Sequence, residues 1–399
     1  MKQILVILLI GYFIQNCNAQ KKGCTDPQAS NYDTSAKLND GSCQYPSTSY
    51  SPKVVCSKLS DTLMESSGLI YFNNAFWTLN DSGNEPAIYA FDSLTGVIIH
   101  RTFIKNKTNI DWEEMTQDST HIYIGEFGNN DGSRKDLKIY ILNKSDLKLN
   151  RKSDSVMVSE IKLSYADQTS FVSANQNTNF DMEAMLVLGD SIHLFSKNWV
   201  DNKTRHYVLS AKPGTYVLNP RESMDIGGII TSACINAEGN KIILGGYNTS
   251  SSACFMWMLW DYAGHSFFSG NKRKIDLGNA LSFGQYEATC YKGNHLYVSN
   301  EKRFTNASLR RVEVQQWFAG YRKISFLTPS KLLIYQWCNE LVIETKTSTG
   351  VLKLYNAIGT CVITHKISNA STRIDISHLN TGVYTIDVNG IIQKVLLEK

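Results

Sequence analysis

The chain holds 399 residues, 42% hydrophobic and 19% charged, with 20 Tyr, 16 Phe and only 7 Pro. That length exceeds one ordinary core and predicts two or three domains, and the composition excludes bulk disorder. A formal net charge of +4 excludes a nucleic-acid partner, because polyanion binding needs positive charge clustered along a surface. The run Lys272-Arg273-Lys274 and the pair Arg310-Arg311 read as solvated loop charges.

Residues 1–19 carry Lys2, the apolar run Ile4-Leu5-Val6-Ile7-Leu8-Leu9-Ile10, and small residues at Cys17 and Ala19. This pattern predicts a secretory signal peptide with an apolar core too short to span a bilayer. Lipid attachment at Cys17 is the other reading, and Asn16 suits it poorly. No later stretch reaches eighteen apolar residues, so no transmembrane segment is expected.

Nine cysteines less Cys17 leave eight, which in an exported chain permits up to four disulfides. Cys24 with Cys43 is the first expected pair. Cys234 with Cys254, Cys338 with Cys361, and Cys56 with Cys290 are conjectured partners among the many connectivities eight cysteines allow.

Residues 20–46 contain Gly23-Cys24-Thr25-Asp26-Pro27, Asn31-Tyr32-Asp33 and Asn39-Asp40-Gly41-Ser42-Cys43. Too few apolar side chains are present for a core, so a disulfide or an ion must hold the segment. Asp26, Asp33 and Asp40 are read equally as calcium ligands or as turn residues that bond their own backbone. The segment resembles a short cysteine-bounded module of secreted Bacteroidetes proteins.

From residue 54 to about 320 the pattern is short strand, turn, short strand, with no long amphipathic helix. Five stretches repeat one theme: Glu65-Ser66-Ser67-Gly68-Leu69, Glu113-Glu114-Met115-Thr116, Asp181-Met182-Glu183-Ala184-Met185, Thr231-Ser232-Ala233-Cys234 and Tyr286-Glu287-Ala288-Thr289. Taking Ser67, Glu114, Glu183, Thr231 and Glu287 as equivalents gives spacings of 47, 69, 48 and 56 residues. Such repetition predicts an all-β chain built on a five-bladed β-propeller, with a sixth, degenerate blade around Leu309 to Phe318 as the variant. Val54 to Leu59 would pair into the last blade and close the ring.

The last stretch, residues 331–399, has a different rhythm and predicts a small β-sandwich. It carries Leu352-Lys353-Leu354-Tyr355-Asn356-Ala357-Ile358-Gly359, Arg373-Ile374-Asp375-Ile376-Ser377, Leu379-Asn380-Thr381-Gly382-Val383-Tyr384 and a basic tail. These segments resemble the C-terminal sorting domain of the type IX secretion system. The resemblance implies that secretion machinery as a partner and delivery to the cell surface or the medium.

In a propeller the starts of the first strands and the ends of the second strands share one mouth. Ser67, Glu114, Glu183, Thr231, Ser232 and Glu287 would then converge, with Asn80, Asp81, Glu126, Lys197, Gly246, Asn300 and Glu301 beside them. Carboxylates about 6 Å apart repel by roughly 2 to 3 kcal/mol per pair at an effective dielectric near 20. Either a cation or hydrogen bonds from neighbouring blades must answer that charge, and calcium, which accepts six to eight oxygens in loose geometry, is the expected ion. The order Ser, Glu, Glu, Thr or Ser, Glu is similar to the axial calcium set of the calcium-activated nucleotidases, the secreted apyrases. That family's paired aspartates and paired arginines stand here as Asn80-Asp81 and Lys197-Asn198.

No zinc helix, nucleophile elbow or phosphate loop is present. Two functions follow as expectations. One is an exported propeller with an axial calcium and a polar mouth, acting as a binding or scaffold module for a surface or small-molecule ligand. The other is a calcium-dependent phosphoester hydrolase, in which Asp81 or Glu126 activates water and Lys197 neutralises developing charge. Trp112 and Trp199 lie near the expected mouth as possible sugar platforms.

Overall fold

The structure is a computed structural model that describes residues 20–318, 322–323, 332–337, 340–345, 350–368, 371–389 and 391–397. The expected signal peptide lies outside the described residues. Among the described residues regular structure is nearly all strand, as expected for an all-β chain.

Five sheets follow one another along the chain. Sheet I comprises Ser66–Phe72, Ala75–Asn80, Ala87–Phe91 and Ile98–Ile104, and sheet II comprises Trp112–Gln117, His121–Glu126, Lys138–Asn143 and Ser159–Tyr165. Sheet III holds Asp181–Leu188, Ser191–Lys197, Lys203–Ser210 and Glu222–Asp225, and sheet IV holds Ile229–Ile235, Lys241–Tyr247, Ala253–Trp260 and Asn271–Asn279. Sheet V joins Gln285–Lys292, His295–Glu301 and Ser308–Val312 to Lys53–Cys56. Within each sheet these strands pair antiparallel with their neighbours, and most successive strands are joined by turns too short for a crossover. In sheet I, for example, Asn73 and Asn74 both take positive φ, 48° and 62°, the two-residue turn whose twist matches the flanking strands.

Apolar side chains on both faces of each sheet explain how the sheets associate. Ile70, Trp77 and Leu79 of sheet I pack on Met115, Ile122 and Tyr140 of sheet II. Further cores join II to III through Tyr123 and Met185, III to IV through Phe195 and Ile242, and IV to V through Met256 and Leu296. A fifth core, with Phe76, Tyr89, Cys290 and Leu309, joins V back to I. The first strands touch in the same cyclic order.

Two departures from simple order bind neighbours together. Ser153–Val156, from the connection inside sheet II, runs parallel to Ile98–Ile104 of sheet I. Gly214–Leu218, from the connection inside sheet III, runs parallel to Ser159–Tyr165 of sheet II. The expected closing segment, Val54 to Leu59, contributes its first half: Lys53–Cys56 pairs with Ser308–Val312. Leu309 therefore belongs to sheet V and Val314–Trp317 is a single 3-10 turn, so no sixth unit begins there.

Residues 20–46 are clasped by the Cys24–Cys43 disulfide, as expected. Asp26 accepts from the Gln28 amide at 2.8 Å and the Tyr45 hydroxyl at 2.7 Å, Asp33 from the Ser35 amide, and Asp40 from the Ser42 amide. These are the turn roles. The module packs on sheet IV through Tyr45 against Trp260 and Arg273 to Gln28 at 2.8 Å.

The other conjectured disulfides do not form. Cys56 lies across from Leu309, Ser299 and Ala288, three strand steps from the strand of Cys290, or roughly 14 Å. Cys234 and Cys254 are two strand steps apart and offset by four residues, and all four thiols are free and buried. A disulfide needs Cα atoms within about 7 Å. Cys361 is a free, exposed thiol, and Cys338 lies outside the described residues.

Near the C-terminus, Arg322–Lys323, Leu332–Trp337, Glu340–Thr345 and Ser371–Asp375 form one sheet. Cys361–Ile367, Gly350–Tyr355, Gly382–Val388 and Ile391–Leu397 form a second. Leu341 and Ile343 of one sheet and Leu352, Leu354 and Ile386 of the other share a single core.

Candidate cation site at the acidic mouth

Each first strand contains one extra residue opposite its second strand. The pairing skips Gly68, Glu113, Glu183, Thr231 and Glu287. A bulge of this kind leaves one residue out of the ladder and re-aims its side chain. In sheets II, III and V the bulged residue is a glutamate, and the charges of Glu113, Glu183 and Glu287 act on one another. Gly68 has φ +51, and a Cβ there would sit 2.6 Å from the Met115 nitrogen, so sheet I presents backbone where sheets II, III and V present glutamate.

Asp81, from the end of the second strand of sheet I, meets Asp111 and Glu113 of sheet II with ligand oxygens within 4.8 Å of one another. Glu113 is only 4% exposed, and no hydrogen bond from the described residues relieves its carboxylate. Gly128 backs directly on the group: a Cβ there would lie 2.2 Å from Glu113 Oε1 and 2.5 Å from Asp111 Oδ2. Burial, and then the neighbouring Asp81 and Asp181 charges, push Asp111 up to about 7. Burial and the Asp81 and Glu183 charges raise Glu113 well above the carboxylate range, and burial raises Asp81. At 4.8 Å two carboxylates repel by about 3 kcal/mol at an effective dielectric near 20, so three full charges need a proton or a cation among them.

The expected site residues separate into different tasks. Glu114, one position past the bulge, is fully buried and accepts from its own Met115 amide at 2.9 Å and from the Ala233 amide of sheet IV at 3.1 Å. It fastens sheet II to sheet IV, with buried Ser232 beside it. The Ser67 hydroxyl donates to the Glu113 carbonyl and the Thr231 hydroxyl to the Tyr286 carbonyl at 2.7 Å, so both link neighbouring sheets. Glu183 does face the mouth, where it is bonded to the Lys197 ammonium.

Burial disfavours the Lys197 charge, yet Glu183, Tyr247 and Asp181 around it push its pKa above the usual lysine value. Lys197 also lies 4.7 Å from the centre of the Trp199 ring, whose Nε1 donates to Asp181. Glu287 is pushed up to about 8 and Glu301 to about 7, in both cases by burial first and by a neighbouring carboxylate next. Glu126 is saturated: it accepts from the Ile110 and Asp111 amides and from Arg134 at 2.8 Å. It is poorly placed to activate water, and Trp112, fully buried, cannot serve as a platform.

Asp111 and Glu113 escaped the sequence reading although a signal was present. Asp111-Trp112-Glu113 matches Asp181-Met182-Glu183, and alignment on that pattern selects Glu113 rather than Glu114 as the repeat equivalent.

At the opposite ends of the same first strands lies a cavity of about 600 Å³, lined from all five sheets by Tyr71, Gln117, Leu188, Cys234 and Tyr291 among others.

Residues 338–397 match the secretion system C-terminal sorting domain family. That type IX tail marks proteins exported to the outer cell surface or secreted, and among the described residues no helix is long and apolar enough to cross a membrane. No curated protein matches the chain.

Solved structures with similarity include the hydrazine synthase of Kuenenia stuttgartiensis, at 10% identity, TM-score 0.31, 88% of this chain and 78% of that one. PorZ of Porphyromonas gingivalis, described as an essential bacterial surface component of the type IX secretion system, matches at 10% identity and TM-score 0.30, over 83% and 44%. BamB of Moraxella catarrhalis matches at 10% identity and TM-score 0.27, over 85% and 88%. The comparisons lend the resemblance to calcium-activated nucleotidases no support.

Proposed function

We propose that the chain is a cell-surface binding or scaffold protein whose body, residues 54–320, is a five-bladed β-propeller with a divalent cation in its acidic mouth. The five cores joined in cyclic order and the five bulges at one level support the propeller reading. The observation that carries the cation is the unpartnered, buried Glu113 carboxylate packed against Asp81 and Asp111. Three carboxylates, with water or a ligand completing the shell, suit calcium, whose ligand number and geometry are permissive, better than magnesium, which demands a near-ideal octahedron. Export through the type IX machinery delivers the protein to a calcium-containing exterior.

A scaffold is favoured over the phosphoester hydrolase because Glu126 and Lys197, two of its three expected catalytic groups, are already committed to Arg134 and Glu183. Calorimetric titration of chelator-treated protein with calcium tests the reading. One equivalent should bind to wild type, and Glu113→Gln should weaken binding at least tenfold. Equal binding by both proteins, or none by wild type, defeats it.

A further inference from the structure

We propose a second metal site, for a borderline transition-metal cation such as Zn²⁺ or Cu²⁺, where His193 on the second strand of sheet III meets His265 in the connection inside sheet IV. Its basis is a chain of two buried histidines and a partly buried glutamate. Glu222 Oε1 lies 2.9 Å from His206 Nδ1, and His206 Nε2 lies 2.8 Å from His193 Nδ1. The same Oε1 accepts from the Phe267 amide at 2.8 Å, so it faces His206 as an acceptor. That arrangement places the proton on His206 Nδ1. His206 Nε2 is then bare and requires the His193 proton on Nδ1. His193 Nε2 is left as an unprotonated lone pair, the form in which imidazole binds metals.

That nitrogen is fully buried and has no hydrogen-bond partner. A buried acceptor left without a partner is costly, and a bound cation would remove that cost. Beside it stands His265, on the turn Ala263 to Ser266 and partly exposed, its ring centroid 4.8 Å from that of His193 and perpendicular to it. A centroid separation of 4.8 Å is short enough for one ion to reach a nitrogen of each ring with metal–nitrogen bonds of about 2.0 to 2.1 Å.

Imidazole ligands select zinc, copper and nickel over calcium and magnesium, so this site and the acidic mouth would take different ions. The Glu222–His206 relay plays the part of the outer hydrogen bonds that orient ligating histidines.

Pulsed electron paramagnetic resonance of the full chain with one equivalent of Cu²⁺ tests the assignment. Wild type should show coupling to two imidazole nitrogens. His265→Ala, a change at a partly exposed turn, should lose one of them and weaken Zn²⁺ binding at least tenfold by competition with a chromophoric chelator. His295→Ala, at the distant exposed pair with Glu313, should change neither measurement. Wild-type coupling and affinity in His265→Ala, or their loss in His295→Ala, would overturn the proposal.

Discussion

Glu113 and Glu114 are adjacent in the chain and opposite in task, and substitution separates them. Glu114→Ala strips an acceptor from the Met115 and Ala233 amides inside the core. Two orphaned buried donors should cost about 2 to 4 kcal/mol, equally with calcium and with chelator. Glu113→Gln instead removes a carboxylate that burial already disfavours. It should leave the chelated protein as stable as wild type or more so, while abolishing the rise in Tm that calcium gives wild type; thermal melts with and without chelator read both effects.

Other carboxylates of the mouth set a pH dependence. Asp111, Glu287 and Glu301 titrate near 7, 8 and 7 when folded, against ordinary values of 3.8 and 4.5. The folded state thus binds more protons than the unfolded state between about pH 4 and 8, and linkage makes metal-free stability fall as pH rises through that window. Calcium, by displacing the Asp111 proton, should lessen the fall. A chelated Tm that climbs from pH 5 to pH 8 contradicts the assignment.

At the level of the strand, the bulge decides what the sequence could disclose. The repeat was legible because Glu183, Thr231 and Glu287 occupy the bulge in three sheets, and the spacing argument found them. Ser67 and Glu114 were chosen one position to either side, because a strand's faces alternate with period two and an inserted residue shifts that count. Both adjacent pairs, Ser67-Gly68 and Glu113-Glu114, fit the alternation equally well until the partner strand is known. The parallel additions Ser153–Val156 and Gly214–Leu218 carried no signal, since four or five residues of mixed polarity look the same whichever sheet receives them.

Gly68 offers the direct test of the bulge as a device. Gly68→Ala places a Cβ in left-handed backbone and within 2.6 Å of the Met115 nitrogen, so it must push sheet I away from sheet II. A loss of about 2 to 3 kcal/mol in denaturant unfolding is expected, against about 1 kcal/mol for the backbone conformation alone. Gly83 also has positive φ, but nothing lies within 4 Å of its Cβ position. Gly83→Ala is therefore the control for conformation without the clash, and equal losses at both positions would remove the crowding argument.

For the whole molecule, the stability of a cyclic arrangement depends on the one sheet assembled from both ends of the body. Sheet V takes its outer strand, Lys53–Cys56, from residues that precede sheet I, and Cys56 and Leu59 enter the core between V and I with Leu69, Phe76 and Leu309. Among the described residues no covalent bond other than the continuous chain fastens this junction, since the conjectured Cys56–Cys290 link is ruled out by the strand spacing. Non-covalent pairing of residues 53–56 is therefore what keeps the V–I interface shut.

Two truncations separate this strand from the module before it. A chain starting at residue 47 loses the disulfide-clasped segment and its contacts with Trp260 and Arg273, but keeps the strand. A chain starting at residue 58 also bares the backbone edge of Ser308–Val312 and leaves the site of Cys56 empty. The first should melt within a few degrees of the intact protein in one cooperative step. The second should lose cooperativity, melt at least about 10 °C lower, and associate through the exposed edge as seen by light scattering. If both truncations behave alike, the closing strand is dispensable and the five sheets are held by their other four cores.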